Sequence, residues 1–292
     1  MTSRTATLIG LTAILMWSLL SVMTVASGRM PPFQLTAISF AIGALAAALS
    51  WIWRPDAMRA LRQSPLTWAV GVGGLFGYHA LYFVALRFAP PAEAGLLNYL
   101  WPLLIVLFSA FLPGERLYPH HVIGALLGLA GTVLLLWGNA SLSLESGHVG
   151  GLLAAFCAAF VWAAYSVMSR RLKAVPTDAV AGFCLITACL AATVHLAIED
   201  TVWPETALQW GAVVALGVGP VGAAFYTWDI GMKRGDIRVL GAASYATPLL
   251  STSFLILAGF AQASAHIAIA AALIAGGGLI AAKDMFTKRS PA

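Results

Sequence analysis

The chain has 292 residues, of which 60% are hydrophobic and 9% charged. That is more apolar surface than a soluble domain of this length can bury, so a soluble enzyme or binding module is excluded and a bilayer is the expected solvent. The formal net charge of +5 needs no nucleic-acid partner, because the basic residues spread along one membrane face once the spans are drawn.

A helix needs about 20 mostly apolar residues to cross roughly 30 Å of hydrocarbon. In chain order such stretches fall at about 5–28, 33–53, 66–88, 92–112, 119–138, 148–171, 177–199, 207–231, 236–259 and 264–286, ten in all. Proline and glycine punctuate them, as at Pro31-Pro32, Ser64-Pro65, Pro90-Pro91, Pro113-Gly114, Pro176 and Gly235-Asp236. The first run is too long for the apolar part of a signal peptide and has an internal counterpart, so it is read as a span. Cys157, Cys184 and Cys189 all fall inside spans, an odd set that argues against a disulfide framework or a thiolate metal site.

Charge then orients the spans. With a cytoplasmic N-terminus, that side receives Arg4, Arg54, Arg59, Arg62, Arg116, Arg170, Arg171, Lys173, Lys233, Arg234, Arg238, Lys283, Lys288 and Arg289, fourteen of the sixteen basic residues. The positive-inside rule therefore points to an even number of spans and two cytoplasmic termini.

The halves match each other. WSLLSVM (17–23) aligns with WAAYSVM (162–168) at an offset of 145, and NYLWPLL (98–104) with SYATPLL (244–250) at an offset of 146. The reading is an all-α membrane protein of ten transmembrane helices, built as two five-helix repeats over 1–142 and 143–292. Five is odd, so the second copy enters from the opposite side and the repeats are inverted, the sequence pointer to a secondary transporter.

NYLWPLL sits in an otherwise apolar run. Pro102 removes an N–H and releases the carbonyl of Asn98, and Pro248 does the same at Ser244. A freed carbonyl in hydrocarbon costs several kcal/mol, so it must face protein, water or ligand. Both prolines lie about ten residues into their spans, roughly 15 Å deep and close to the midplane.

Over essentially its whole length the chain resembles the EamA-type transporters of the drug/metabolite transporter superfamily. The strings ATLIGL (6–11), WS (17–18), NYLWP (98–102), VWAAY (161–165) and SYATP (244–248) resemble the YddG-type aromatic amino acid exporters within that family. The resemblance implies a multi-pass exporter of phenylalanine, tyrosine and tryptophan in the bacterial inner membrane, with ten helices around a central cavity and both termini cytoplasmic.

The residues themselves nominate a site. Tyr78 and Tyr82 share a face of the third span with His79 beside them; Asn98 and Trp101 share a face of the fourth with Tyr99 alongside; Trp17 and Trp162 lie near mid-depth. The matched strings VWAAY and SYATP add Tyr165, Ser244 and Tyr245. Aromatic walls stack on an aromatic side chain and take an ammonium by cation–π contact, while freed carbonyls and Asn98 receive a zwitterion's ends. Pro102, Pro248 and the GVGP stretch, with Gly217, Gly219 and Pro220, are the expected hinges of an alternating-access motion. Each nomination has a plainer rival: the tryptophans as packing, the tyrosines as inter-helix hydrogen bonds, His79 as a satisfied buried imidazole, the prolines as structural kinks.

Other polar residues read as structural. Asp229 has Lys233 one turn on, Glu93 suits a helix N-terminus, His195 lies near Glu199, and the glycines of GALLGLAG (124–131) permit close packing, within the monomer or across a dimer. No catalytic motif, ATP-binding motif or metal set is expected, His120-His121 having no evident further ligand. The resemblance extends to superfamily members that couple protons through an intramembrane glutamate, but the middle of the first span here holds Trp17 and no acid, so facilitated exchange, downhill efflux and proton antiport all stay open. A monomer without cofactor is expected, its partners being the lipid bilayer and a small-molecule substrate. Export of another small metabolite or a cationic drug, or a passive channel, is the alternative.

Overall fold

The computed structural model describes residues 1–137, 148–257 and 265–286, all of them helix or short connection. In chain order the helices are α1 (Ser3–Ser18), α2 (Leu20–Ala26), α3 (Pro32–Ser50), α4 (Pro65–Phe88), α5 (Pro91–Asn98), α6 (Trp101–Phe108) and α7 (Pro119–Trp137). They continue as α8 (Val149–Arg171), α9 (Ala179–Ile198), α10 (Ala207–Val218), α11 (Ala224–Arg234), α12 (Ile237–Ala243), α13 (Ala246–Leu257), α14 (Ala265–Ala281) and α15 (Lys283–Phe286). Their starts follow local chemistry. Ser64 caps α4 ahead of Pro65 at the first helical position, Thr206 and Gln209 form a capping box on α10, and Asp236 accepts the first N–H groups of α12.

Eight helical stretches among the described residues are long and apolar enough to cross a membrane: Ser3–Ala26, Pro32–Ser50, Pro65–Phe88, Glu93–Phe111, Pro119–Leu136, Val149–Arg171, Ala179–Ile198 and Ala207–Arg234. They coincide with the first eight spans read from sequence. The ninth and tenth expectations fall on α12 with α13 and on the 17-residue α14. The 142/143 boundary between repeats, residues 258–259 of the ninth span and residue 264 lie outside the described residues. The connection between α3 and α4 contains a 3₁₀ helix, Pro55–Leu61.

Both interruptions expected near the prolines are present, as complete two-residue breaks rather than kinks. Helix stops at Asn98 and resumes at Trp101; it stops again at Ala243 and resumes at Ala246. A third break at Leu19 was not expected, and the GVGP stretch ends in a π-helical turn, Gly219–Ala223, the kind of local widening found at functional sites.

Packing between the halves is reciprocal. α1 lies on α11 as α4 lies on α8; α3 pairs with α9, and α7 with α14. Glycine allows close approaches on α7: a Cβ on Gly124 would stand 2.5 Å from the Gly277 carbonyl oxygen, and one on Gly128 would stand 2.5 Å from the Tyr245 ring. The GALLGLAG stripe is thus used inside the chain, against α14 and Tyr245. Gly124→Val is expected to cost about 1–3 kcal/mol through overpacking, measured as a lowered unfolding midpoint in detergent; an unchanged midpoint would contradict the close α7–α14 contact.

The ends of the bundle are stitched by charge. The Glu199 carboxylate accepts the N–H groups of Phe33 and Gln34 at 3.1 Å each and so caps α3 from the end of α9, with His195 Nδ1 against it at 2.9 Å. At the opposite end Arg170 donates to the carbonyls of Met232 and Gly235 and pairs with Glu115, while Arg238 pairs with Asp236 and Glu115. The expected Asp229–Lys233 pair is present at 2.8 Å with both side chains buried. Lys233 also donates to the Val175 carbonyl, and Thr177 donates to Asp229.

Candidate functional site

The helix breaks, α4 and the tryptophans of α1 and α8 enclose a cavity of about 200 Å³. Eight of the nominated residues line it: Trp17, Tyr78, His79, Tyr82, Asn98, Tyr99, Trp101 and Trp162, joined by Pro220. The lining comes from the start of α2 (Leu20, Ser21), the C-terminal half of α4 (Tyr78, His79, Tyr82) and the first half of α13 (Thr247, Ser251). Indoles form its floor.

That floor is a cluster of rings. Trp17 lies 5.0 Å from Trp228 and 5.5 Å from Trp162, and Trp101 lies 6.4 and 6.3 Å from Trp17 and Trp162. The pairs are tilted or edge-to-face, the arrangement that ring quadrupoles favour. One wall is the stacked Tyr78–Tyr82 pair, at 6.0 Å and 10°. Trp17 Nε1–H donates to the Pro220 carbonyl at 3.0 Å, tying α1 to the π-helical turn of the other half.

Polar groups are few and defined. His79 Nδ1–H donates to the Leu75 carbonyl at 2.7 Å, which leaves Nε2 as the ring's acceptor. Asn98 Nδ2–H donates to the Tyr78 hydroxyl at 3.1 Å. Asn98 Oδ1 and Thr247 Oγ1 are buried with no hydrogen-bond partner. An orphaned polar atom of this kind costs about 1–3 kcal/mol, so two of them at one cavity mark where a polar ligand group or water is received. None of the lining residues among those described is Asp, Glu, Lys or Arg.

Three nominated residues do not line the cavity. Tyr165 is buried behind Trp162, its ring filling the space that Gly74 leaves. Ser244 is fully buried and donates to the Leu240 carbonyl at 2.7 Å. Tyr245 is fully buried, and its hydroxyl accepts the Leu103 N–H at 3.2 Å. Among the expected hinges, Gly219 and Pro220 lie in the π-helical turn, Pro102 and Pro248 follow the two breaks, and Gly217 is pressed against Ile42 of α3, a packing position.

Leu20, Ser21, Val221, Phe225, Thr247 and Ser251 line the cavity without having been nominated. The repeat offset carried the signal for two of them: Phe225 is the counterpart of His79, and Thr247 of Trp101. Nothing in the sequence marked Ser21, which faces the cavity because the helix breaks at Leu19.

His120 and His121 do meet a third potential ligand, Asp284, with Nε2 to Oδ2 distances of 3.3 and 3.8 Å. His121 Nδ1 accepts the Tyr118 N–H at 3.1 Å, a helix-capping contact that puts the ring proton on Nε2. The donor set is therefore wrong for a cation at that atom.

Comparison with known proteins agrees with this architecture. The EamA-like transporter family model matches residues 4–137 and again 149–283. The chain is 58% identical over 282 residues to the aromatic amino acid exporter YddG of Ancylobacter novellus, covering 96% of this chain and 98% of that one. It is 28% identical to the Escherichia coli aromatic amino acid exporter YddG, covering 96% and 97%. A crystal structure of a protein 58% identical superposes with a TM-score of 0.90, covering 95% of this chain and 97% of that chain. Helices that cross a membrane, a buried aromatic cavity between two matching halves and these relatives lead to one statement: the chain belongs to the EamA-like transporter family.

Proposed function

We propose that this protein exports aromatic amino acids, phenylalanine, tyrosine and tryptophan, across the bacterial inner membrane by alternating access through the cavity. The frame is ten spans in two inverted five-helix repeats, 1–142 and 143–292, with both termini cytoplasmic, acting as a monomer. The observation that carries the reading is a small aromatic box holding two unpartnered polar atoms, Asn98 Oδ1 and Thr247 Oγ1. Rings supply stacking and cation–π surface for a side chain and an ammonium, and the orphaned atoms receive the zwitterion's ends. At about 200 Å³ the cavity is below the roughly 300–1,000 Å³ that drug-sized ligands occupy, and it offers a lone cation no counter-charge.

The frame is supported by the family model matching twice and by the reciprocal packing of α1 on α11 and α4 on α8. The positive-inside distribution supports the orientation. Motion about the breaks at Tyr99–Leu100 and Ser244–Tyr245 and about Gly219 and Pro220 would open the end floored by tryptophans.

Ligand binding tests the reading without requiring transport. Phenylalanine at 100 times its Kd is expected to stabilise the purified protein by about 2.7 kcal/mol, read as a raised unfolding midpoint that glycine does not reproduce. Equal stabilisation by glycine, or by an aromatic cation lacking a carboxylate, would contradict the assignment.

A further inference from the structure

The two helix breaks are occupied differently, although the residues around them correspond one for one. Restarting α6 after its break leaves N–H groups that have no partner within the helix. Leu104 donates to the Leu100 carbonyl at 2.9 Å, Pro102 has no N–H, and Leu103 donates across the repeat interface to the hydroxyl of Tyr245 at 3.2 Å. Tyr245 is fully buried, its ring packed on Gly128. Its counterpart at the offset of 146 is Tyr99, which lines the cavity. The counterpart of Leu103 is Leu249.

We infer that Tyr99 and Tyr245 exchange places during the transport cycle. In the state seen here Tyr245 ties the two breaks together by accepting the Leu103 N–H, while Tyr99 is a wall of the open cavity. In the opposite-facing state Tyr99 accepts the Leu249 N–H and is buried, and Tyr245 turns to line the cavity that opens at the other end. The inference rests on the alternating-access reading above. Its basis is that a pseudo-two-fold structure caught facing one way must be asymmetric, and that interchanging the repeats maps each asymmetric contact onto its mate. The Tyr245–Leu103 contact joins the two halves directly at the breaks, so its mate belongs to the other state. Tyr245 is on this account a positioning residue whose hydroxyl holds one conformation, and Tyr99 holds the other.

The test is a pair of conservative variants with reporters on the two sides. In a background with Cys157, Cys184 and Cys189 replaced by alanine, cysteine is introduced at Ser251, which lines the open cavity, or at its counterpart Ile105, which is fully buried. Labelling by a membrane-impermeant thiol reagent is measured from each side of the membrane, together with phenylalanine counterflow. Tyr245→Phe is expected to lower the ratio of Ser251→Cys to Ile105→Cys labelling and Tyr99→Phe to raise it, each by about fivefold, the weight of one net hydrogen bond. A merely structural role for either hydroxyl would not move the ratio in opposite directions. A ratio that shifts the same way in both variants, or stays put while counterflow persists, overturns the exchange alone. A parent protein without counterflow, whose ratio also ignores phenylalanine, overturns the alternating-access reading with it.

Discussion

Lys233→Met, made alone, is expected to destabilise the folded protein by about 3–5 kcal/mol, because it leaves the Asp229 carboxylate buried without its charge partner. Both side chains of the pair are 5% exposed or less, and Nζ stands 2.8 Å from Oδ2. The remaining contact to Asp229, the Thr177 hydroxyl, cannot neutralise it. Adding Asp229→Asn restores most of the loss, since the amide oxygen still accepts from Thr177 and no charge is left inside. Denaturant unfolding in detergent measures both variants. A single-variant cost below about 1 kcal/mol would mean that the pair is solvated in a way its burial does not allow.

Asn98→Ala is expected to act on substrate affinity. A hydrogen bond to a charged group contributes about 1.5–3 kcal/mol, so removing the unpartnered amide oxygen is expected to weaken phenylalanine binding by about tenfold to a hundredfold. The Tyr78 hydroxyl, which accepts from Asn98 Nδ2, lines the cavity and can turn to a bound ligand or water, so the unfolding midpoint changes little. The affinity is read as the concentration dependence of counterflow. An unchanged affinity would move the polar recognition to Thr247 and the His79 ring.

The sequence made the first eight spans legible because each is a run of apolar residues long enough to cross a membrane, bounded by proline, glycine or charge. It also made the breaks legible, through Pro102 and Pro248, although not their form: the helix stops at Asn98 and restarts at Trp101 because two residues, not one, leave the ladder. Side-chain direction was the weak point. Tyr165, Ser244 and Tyr245 share strings with cavity residues, yet one turn of a helix sends Tyr165 onto Gly74 and Tyr245 onto Gly128, because glycines on the facing helices open room there. Those glycines are far away in sequence. Ser21 and Phe225 entered the cavity for the same kind of reason: a break at Leu19 and a π-helical turn at Gly219–Ala223 rotate the faces that follow them, and neither irregularity has a local proline-before-helix signature as clear as NYLWP.

The Asp229–Lys233 pair was readable from its spacing alone, since residues four apart on a helix are neighbours. The cap that Glu199 places on α3 was not, because it joins residues more than 160 apart in the chain.

Counterflow in proteoliposomes tests the central claim most directly. Vesicles loaded with unlabelled phenylalanine are given labelled phenylalanine outside, with Trp101→Ala protein in parallel. Label is expected to accumulate transiently, in dependence on the internal phenylalanine, and not to do so in the variant while that protein stays folded. Label that never accumulates above the outside concentration, or that accumulates equally through the Trp101→Ala protein, would contradict an aromatic amino acid carrier working through this cavity.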